Sequence, residues 1–227
     1  RLMTKAAYEK GARKVSINWF DDCLTRYAYE YESQETLNEV PDWLLGKSRY
    51  QIAEKRSNRI SIVSDDPDLL KGLDETKISE AVKARSLKMK DFVKYTMNDI
   101  VSWLVISVPS TKWAEKVFPN LKGDEACAKL WEVILDVCRV SESWEETKKN
   151  WEEHIKTLDE KAEFLNSHQF DYVEYKSANG TDLKVKLPKG HIWMSAGSKN
   201  EKGDRFIPNM PTEEVFTAPQ YDGVDGK

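Results

Sequence analysis

Between Val101 and Val108 the chain reads Val-Ser-Trp-Leu-Val-Ile-Ser-Val, apolar except for Ser102 and Ser107, in a protein whose residues are 33% charged. A run this short cannot span a membrane, which takes about 18 residues, and it lacks the three-to-four spacing of a helix. Rich in β-branched residues, it predicts a strand covered on both faces, the interior of a parallel sheet. Such a strand obliges the neighbouring sequence to supply helices for both faces.

The sequence on its N-terminal side meets that demand by alternation. Leu2, Met3, Ala6, Ala7 and Ala12 mark an opening helix that ends near Gly11, and Val15–Phe20 reads as a strand. A helix through Leu24, Tyr27, Ala28 and Tyr31 follows, then a helix over Trp43–Arg56 after Pro41, a strand over Arg59–Ser64 and a long helix from Asp74 to Tyr95. This order predicts an α/β fold, a mainly parallel sheet flanked by helices on both faces, built from βαβ units. Asp21, Asp22, Asp65 and Asp66 follow the strands and are expected as helix N-caps. No glycine fingerprint follows any of the strands, so a dinucleotide site is not indicated.

Two further helices carry clear apolar stripes: Cys127, Leu130, Trp131, Ile134, Val137 and Cys138 on the first, and Trp144, Trp151, Ile155, Leu158, Ala162 and Leu165 on the second. Ser143 with Glu146 forms a capping box, and Glu145/Lys149 and Glu152/Lys156 are expected to pair on the wet face. Alternation then replaces helical spacing. Tyr172, Val173 and Tyr175 face Leu183, Val185 and Leu187 across Asn179-Gly180, a hairpin signal. His191–Met194 reads as a further strand, and residues 195–204 as a loop.

The net charge of −4 with no basic stripe speaks against nucleic acid as a partner, and no apolar run is long enough for a membrane. Cys23, Cys127 and Cys138 have no C-x-x-C spacing and are expected as buried thiols in a reducing compartment. With no signal-peptide pattern at Arg1-Leu2-Met3-Thr4-Lys5, the expected location is the cytoplasm.

The chemistry-bearing stretch is Arg205–Pro219. Pro208, Pro211 and Pro219 exclude helix interior and leave Thr212–Thr217 as an extended run with two adjacent carboxylates. Alternation puts Glu213 on a face with Val215 and Glu214 on a face with Phe216, so burial of either face carries a carboxylate that needs a partner.

The string Pro208-Asn-Met-Pro-Thr-Glu-Glu-Val-Phe-Thr-Ala-Pro219 resembles the signature of the aminopeptidase T / aminopeptidase S (PepS) family of dimetal-dependent exopeptidases. The resemblance implies removal of amino-terminal residues from peptides with a free amino terminus, by two divalent ions (zinc, cobalt or manganese) about 3.5–4 Å apart. It implies that either Glu213 or Glu214 is a metal ligand, with the other ligands beyond Lys227. It implies residues 1–190 as an amino-terminal α/β domain lacking its first strand, residues 191–227 as the β-rich start of a truncated catalytic domain, and a homodimeric parent enzyme. His154 and His168 are too far apart along one helix to share an ion, and His191 has no ligand partner at short spacing. The fragment alone is therefore expected to bind no metal, and a non-catalytic module covering the cavity or mediating dimerisation is the alternative.

Overall fold

The computed structural model describes residues 1–64 and 66–226. It opens with α1 (Leu2–Glu9), α2 (Asp22–Tyr31), α3 (Gln34–Asn38) and α4 (Asp42–Ser48), which continues into a π-helical turn at Arg49–Glu54. Then come β1 (Arg59–Val63), α5 (Glu75–Met97), β2 (Trp103–Ser107), α6 (Thr111–Val117), α7 (Gly123–Val137) and α8 (Trp144–His168). The C-terminal part is made of short strands: β3 (Tyr172–Lys176), β4 (Asp182–Lys186), β5 (Ser198–Lys199), β6 (Arg205–Phe206), β7 (Asn209–Met210) and β8 (Val224–Gly226).

The apolar run becomes the middle strand of a parallel sheet ordered β1-β2-β7. Ile60 pairs with Leu104 and Ile62 with Ile106 on one side, and Val105 with Asn209 on the other. Every residue of β2 is at least half-buried, whereas Ile60 and Ile62 of the edge strand are about half exposed. The crossover from β1 to β2 is α5, started by Asp74, whose Oδ1 accepts from the amides of Thr76 and Lys77. A βαβ unit of this kind is what the alternating pattern demands.

Val15–Phe20 departs from expectation. It forms no ladder, and Trp19 and Phe20 are 84% and 80% exposed. Strand propensity needs a neighbour to be realised, and the outer edge of β1 is not paired with this segment. Of the four acids expected as caps, Asp21 caps α2 through Leu24 N at 3.0 Å, while Asp22 lies in its first turn. Asp66 instead closes a turn by accepting from Asp68 N. Asp65 lies outside the described residues. Cys23 is exposed rather than buried, and Cys127 and Cys138 are only half-buried.

The core under α6 and α7 consists of Ala114, Ala126 and Leu130, with Trp113, Phe118, Leu121, Cys127 and Ile134 around it. Trp131, expected in the stripe, is 41% exposed, because Ala126 and Leu130 at i,i+4 occupy the seam and the next residue turns about 100° away. On α8 the buried stripe is Trp151, Leu158 and Ala162, while Trp144 in the first turn is largely exposed. The surface pairs on α8 are Lys148–Glu152, Lys149–Glu153 and Lys156–Glu160, each lysine preceding its glutamate, which differs from the expected register.

Ser143 caps α8, its Oγ accepting from Glu146 N at 3.1 Å. Ser143→Ala is expected to cost about 1 kcal/mol, read as a lower urea midpoint with unchanged slope, while Ser143→Gly should cost only a few tenths.

The hairpin forms as expected, with Val173 opposite Val185 and Gly180 at φ 99° in its turn, and β8 adds to the far side of β4. His191–Met194 makes no strand; it contributes a single antiparallel bridge, Met194 to Phe216. The buried Asn200 ties the β5–β6 turn to the sheet, donating to Ser102 Oγ and accepting from the amides of Lys202 and Asp204. No helix among the described residues is long and apolar enough to cross a membrane.

Candidate functional site

Two helix ends converge on the carboxylate motif. α7 stops in a Schellman arrangement: Arg139 N bonds to Asp136 O and Val140 N to Leu135 O, with Arg139 itself left-handed at φ 54°. Glycine is the residue that fits this position without strain, so an arginine here is held against a backbone preference. The Ser143 cap then launches α8, which presents Trp151 and His154 at i,i+3 on one face. Trp151 locks the corner by donating its indole N–H to Cys138 O at 2.8 Å. Its ring lies 5.8 Å from the Arg139 guanidinium carbon and meets His154 edge-on, also at 5.8 Å.

On this floor rests the extended segment after β7. His154 Nε2 is 2.7 Å from Thr212 O, and a carbonyl only accepts, so Nε2 carries the proton. Thr212 is buried. Arg139 grips Glu213 in a two-pronged pair, Nη1 to Oε1 at 2.5 Å and Nη2 to Oε2 at 2.8 Å, while Nη1 also donates to Val137 O. Glu213 N is not part of a sheet, since it donates to Glu214 Oε2 at 2.9 Å. That diversion explains why Thr212–Thr217, expected as a strand, keeps only the Phe216 bridge.

The Arg139 hydrogen bond, with the Arg139 charge and His154 adding, outweighs burial and holds the Glu213 carboxyl below its ordinary value. The same pair raises Arg139, so the interaction is counted once. Burial pushes the Cys138 thiol up. With side chains 26% and 55% exposed, the pair is worth about 1 kcal/mol or less after solvent screening. A depressed carboxylate stabilises the folded state fully above its unfolded value, about 4.3, and loses that contribution as pH falls through the lower folded value. Docking of residues 212–217 should therefore hold from neutral pH down to about 5 and loosen below the ordinary glutamate range. Glu213→Gln should remove that portion of the acid sensitivity in a stability-versus-pH series.

The structure thus brings Glu213 and Glu214 to the α7–α8 corner and adds His154, which was expected as a structural or surface histidine because it cannot share an ion with His168. His154 Nε2 lies 3.6 Å from Glu213 Oε2, and its spacing from Trp151 was the only local signal of a shared face. His168 stays at the end of α8, stacked on Phe170. His191 is buried against Trp193 with Nδ1 on Pro188 O, away from any ladder. No group of three or more His, Cys, Asp or Glu side chains among the described residues is arranged to hold an ion. The donor chemistry agrees: both Glu213 oxygens are taken by Arg139, and His154 Nε2 is a donor to Thr212. Among the described residues no complete metal centre is made.

A family model described as thermophilic metalloprotease (M29) matches residues 1–227. The chain is 44% identical over 226 residues to aminopeptidase AmpS of Bacillus subtilis (strain 168), covering all of this chain and 54% of that protein. It is 40% identical to aminopeptidase PepS of Streptococcus thermophilus, over 97% of this chain and 52% of the relative. The solved structure of wild-type AmpT from Thermus thermophilus superposes with a TM-score of 0.87 at 32% identity, over 99% of this chain and 54% of that one. The chain therefore spans about half the length of the curated relatives it matches.

Proposed function

Because the chain belongs to the thermophilic metalloprotease (M29) family, we propose that it is the amino-terminal portion of a metal-dependent aminopeptidase that removes residues from the free amino terminus of peptides. The observation that carries this is the match of the whole chain, the carboxylate pair Glu213-Glu214 included, to relatives named as aminopeptidases. In this reading residues 1–190 are the α/β domain and residues 191–227 open the catalytic domain.

One carboxylate of the pair contributes to a site for two divalent ions, zinc, cobalt or manganese, which would activate water and hold the substrate amine. The remaining ligands lie in the portion of the relatives' length that this chain does not span. This chain's own residues orient: Arg139 and His154 fix the motif, Trp151 packs the corner and bonds to Cys138 O, and β7 anchors the segment to the sheet. The same reading gives a cytoplasmic homodimer. A second reading, in which the 227 residues act as a non-catalytic module that covers the cavity or mediates dimerisation, is favoured for the isolated chain by the lack of a three-ligand group among the described residues.

One experiment tests the aminopeptidase reading. The 227-residue chain, titrated with zinc and cobalt and assayed on aminoacyl substrates, should show neither micromolar binding nor turnover. The same residues within the longer protein should cleave free but not acetylated amino termini and lose activity to a chelator. Chelator-resistant turnover would remove the metal dependence, and no turnover in the longer protein would remove the aminopeptidase reading.

A further inference from the structure

Asn179-Gly180 is the one asparagine-glycine pair in the sequence, and it stands exposed at the tip of the β3–β4 hairpin. Two hydrogen bonds close the turn, Gly180 N to Ser177 O and Ser177 N to Thr181 O, each 3.1 Å. The Ser177 hydroxyl also donates to Asn179 Oδ1. We propose that this pair is a self-modification site, at which the Gly180 backbone nitrogen closes on the Asn179 side chain and converts the asparagine to isoaspartate and aspartate through a cyclic imide.

The step balances with water alone. Gly180 N gives its proton to hydroxide and attacks Asn179 Cγ; the new N–C bond forms, the bond from Cγ to the side-chain nitrogen breaks, and ammonia leaves with a proton taken from water. A water molecule then opens the ring at either carbonyl, giving aspartate by one route and isoaspartate by the other, with nothing oxidised or reduced. Glycine brings no side chain to the attacking nitrogen, and a Cβ placed on Gly180 would meet nothing within 4 Å, so the ring has room to form. The Ser177 hydroxyl withdraws charge from the Asn179 carbonyl and lies where negative charge develops on its oxygen. By contrast, the buried Asn200 has both side-chain atoms committed to hydrogen bonds and is followed by Glu201. The bond from Gly180 N to Ser177 O works against the attack, so conversion waits on local opening of the turn. An isoaspartyl link routes the main chain through the former side chain and lengthens a turn whose span those two bonds fix. The hairpin end at Lys176 and Asp182 should then fray, while Val173 and Val185 stay paired.

The test incubates the folded 227-residue chain in mildly alkaline buffer and maps its peptides for isoaspartate. The peptide Ser177–Lys184 should gain both acids, isoaspartate the more abundant, ahead of any peptide holding another asparagine and faster as pH rises. Gain of an acid with release of ammonia separates this site from Asp222 and Asp225, whose links to glycine isomerise with no ammonia lost. Amide exchange at Ser177 should quicken in the converted chain and that at Val185 should not. Asn179→Gln, whose longer side chain closes a ring far more slowly, should abolish the gain. Ser177→Ala should slow conversion about fivefold once normalised to Gly180 amide exchange, the effect of one ordinary hydrogen bond on a barrier. An Asn179 that stays intact while another asparagine converts, or that yields aspartate without isoaspartate, overturns the proposal. An unchanged normalised rate in Ser177→Ala overturns the part given to the serine.

Discussion

Trp151→Ala should lower the unfolding free energy by about 3–5 kcal/mol, the cost of a cavity left by a large buried ring. Trp151 is 8% exposed and does three things at once: it fills the α7–α8 corner, donates to Cys138 O, and floors the Arg139 guanidinium. Trp151→Phe should retain most of the packing and lose about 1 kcal/mol for the unmade hydrogen bond. Chemical denaturation of the two variants checks both values. An alanine variant with the midpoint of the unaltered chain would show that the corner is not packed as described.

The second large effect is a contrast between sequence neighbours. Leu130→Ala should cost about 2–5 kcal/mol, because Leu130 is 3% exposed in the cluster with Ala114 and Ala126. Trp131→Ala, although it removes a larger side chain, should cost less than Leu130→Ala, since a ring 41% exposed leaves a groove open to water rather than a closed cavity. Paired denaturation curves decide, and reversed magnitudes would mean that α7 is rotated by one residue about its axis.

That contrast shows where sequence periodicity ran out. The stripe on α7 was legible as a stripe, but its centre was not: Leu130 and Trp131 both satisfy a three-to-four pattern within one residue, and only the position of α6 chooses between them. The helices α5 and α8, the strands β1 and β2 and the hairpin β3–β4 were legible because each carries its own signal, whether a cap, an apolar run or Asn179-Gly180. Val15–Phe20 carries an equally good strand signal and forms no ladder, since pairing is a property of two segments.

The short β7 was not legible at all. Two residues between prolines offer no periodicity, and their place beside β2 is set by tertiary structure. At the site, the glutamate pair was visible from its resemblance to a family. The partner Arg139 was not, because nothing in a local window links a helix-terminal arginine to a carboxylate 74 positions later.

The pairing of Val105 with Asn209 also constrains how the molecule is made. β1 and β2 can zip together once residue 107 has been synthesised, but the strand for the other side of β2 comes roughly a hundred residues later, which at about 5–20 residues per second is a delay of about 5–20 seconds. Through that interval a nascent chain displays the bare edge of its most apolar strand, a surface that templates pairing with any other extended chain nearby. Production of this polypeptide should therefore respond to translation speed and to holding chaperones more than its finished stability would suggest.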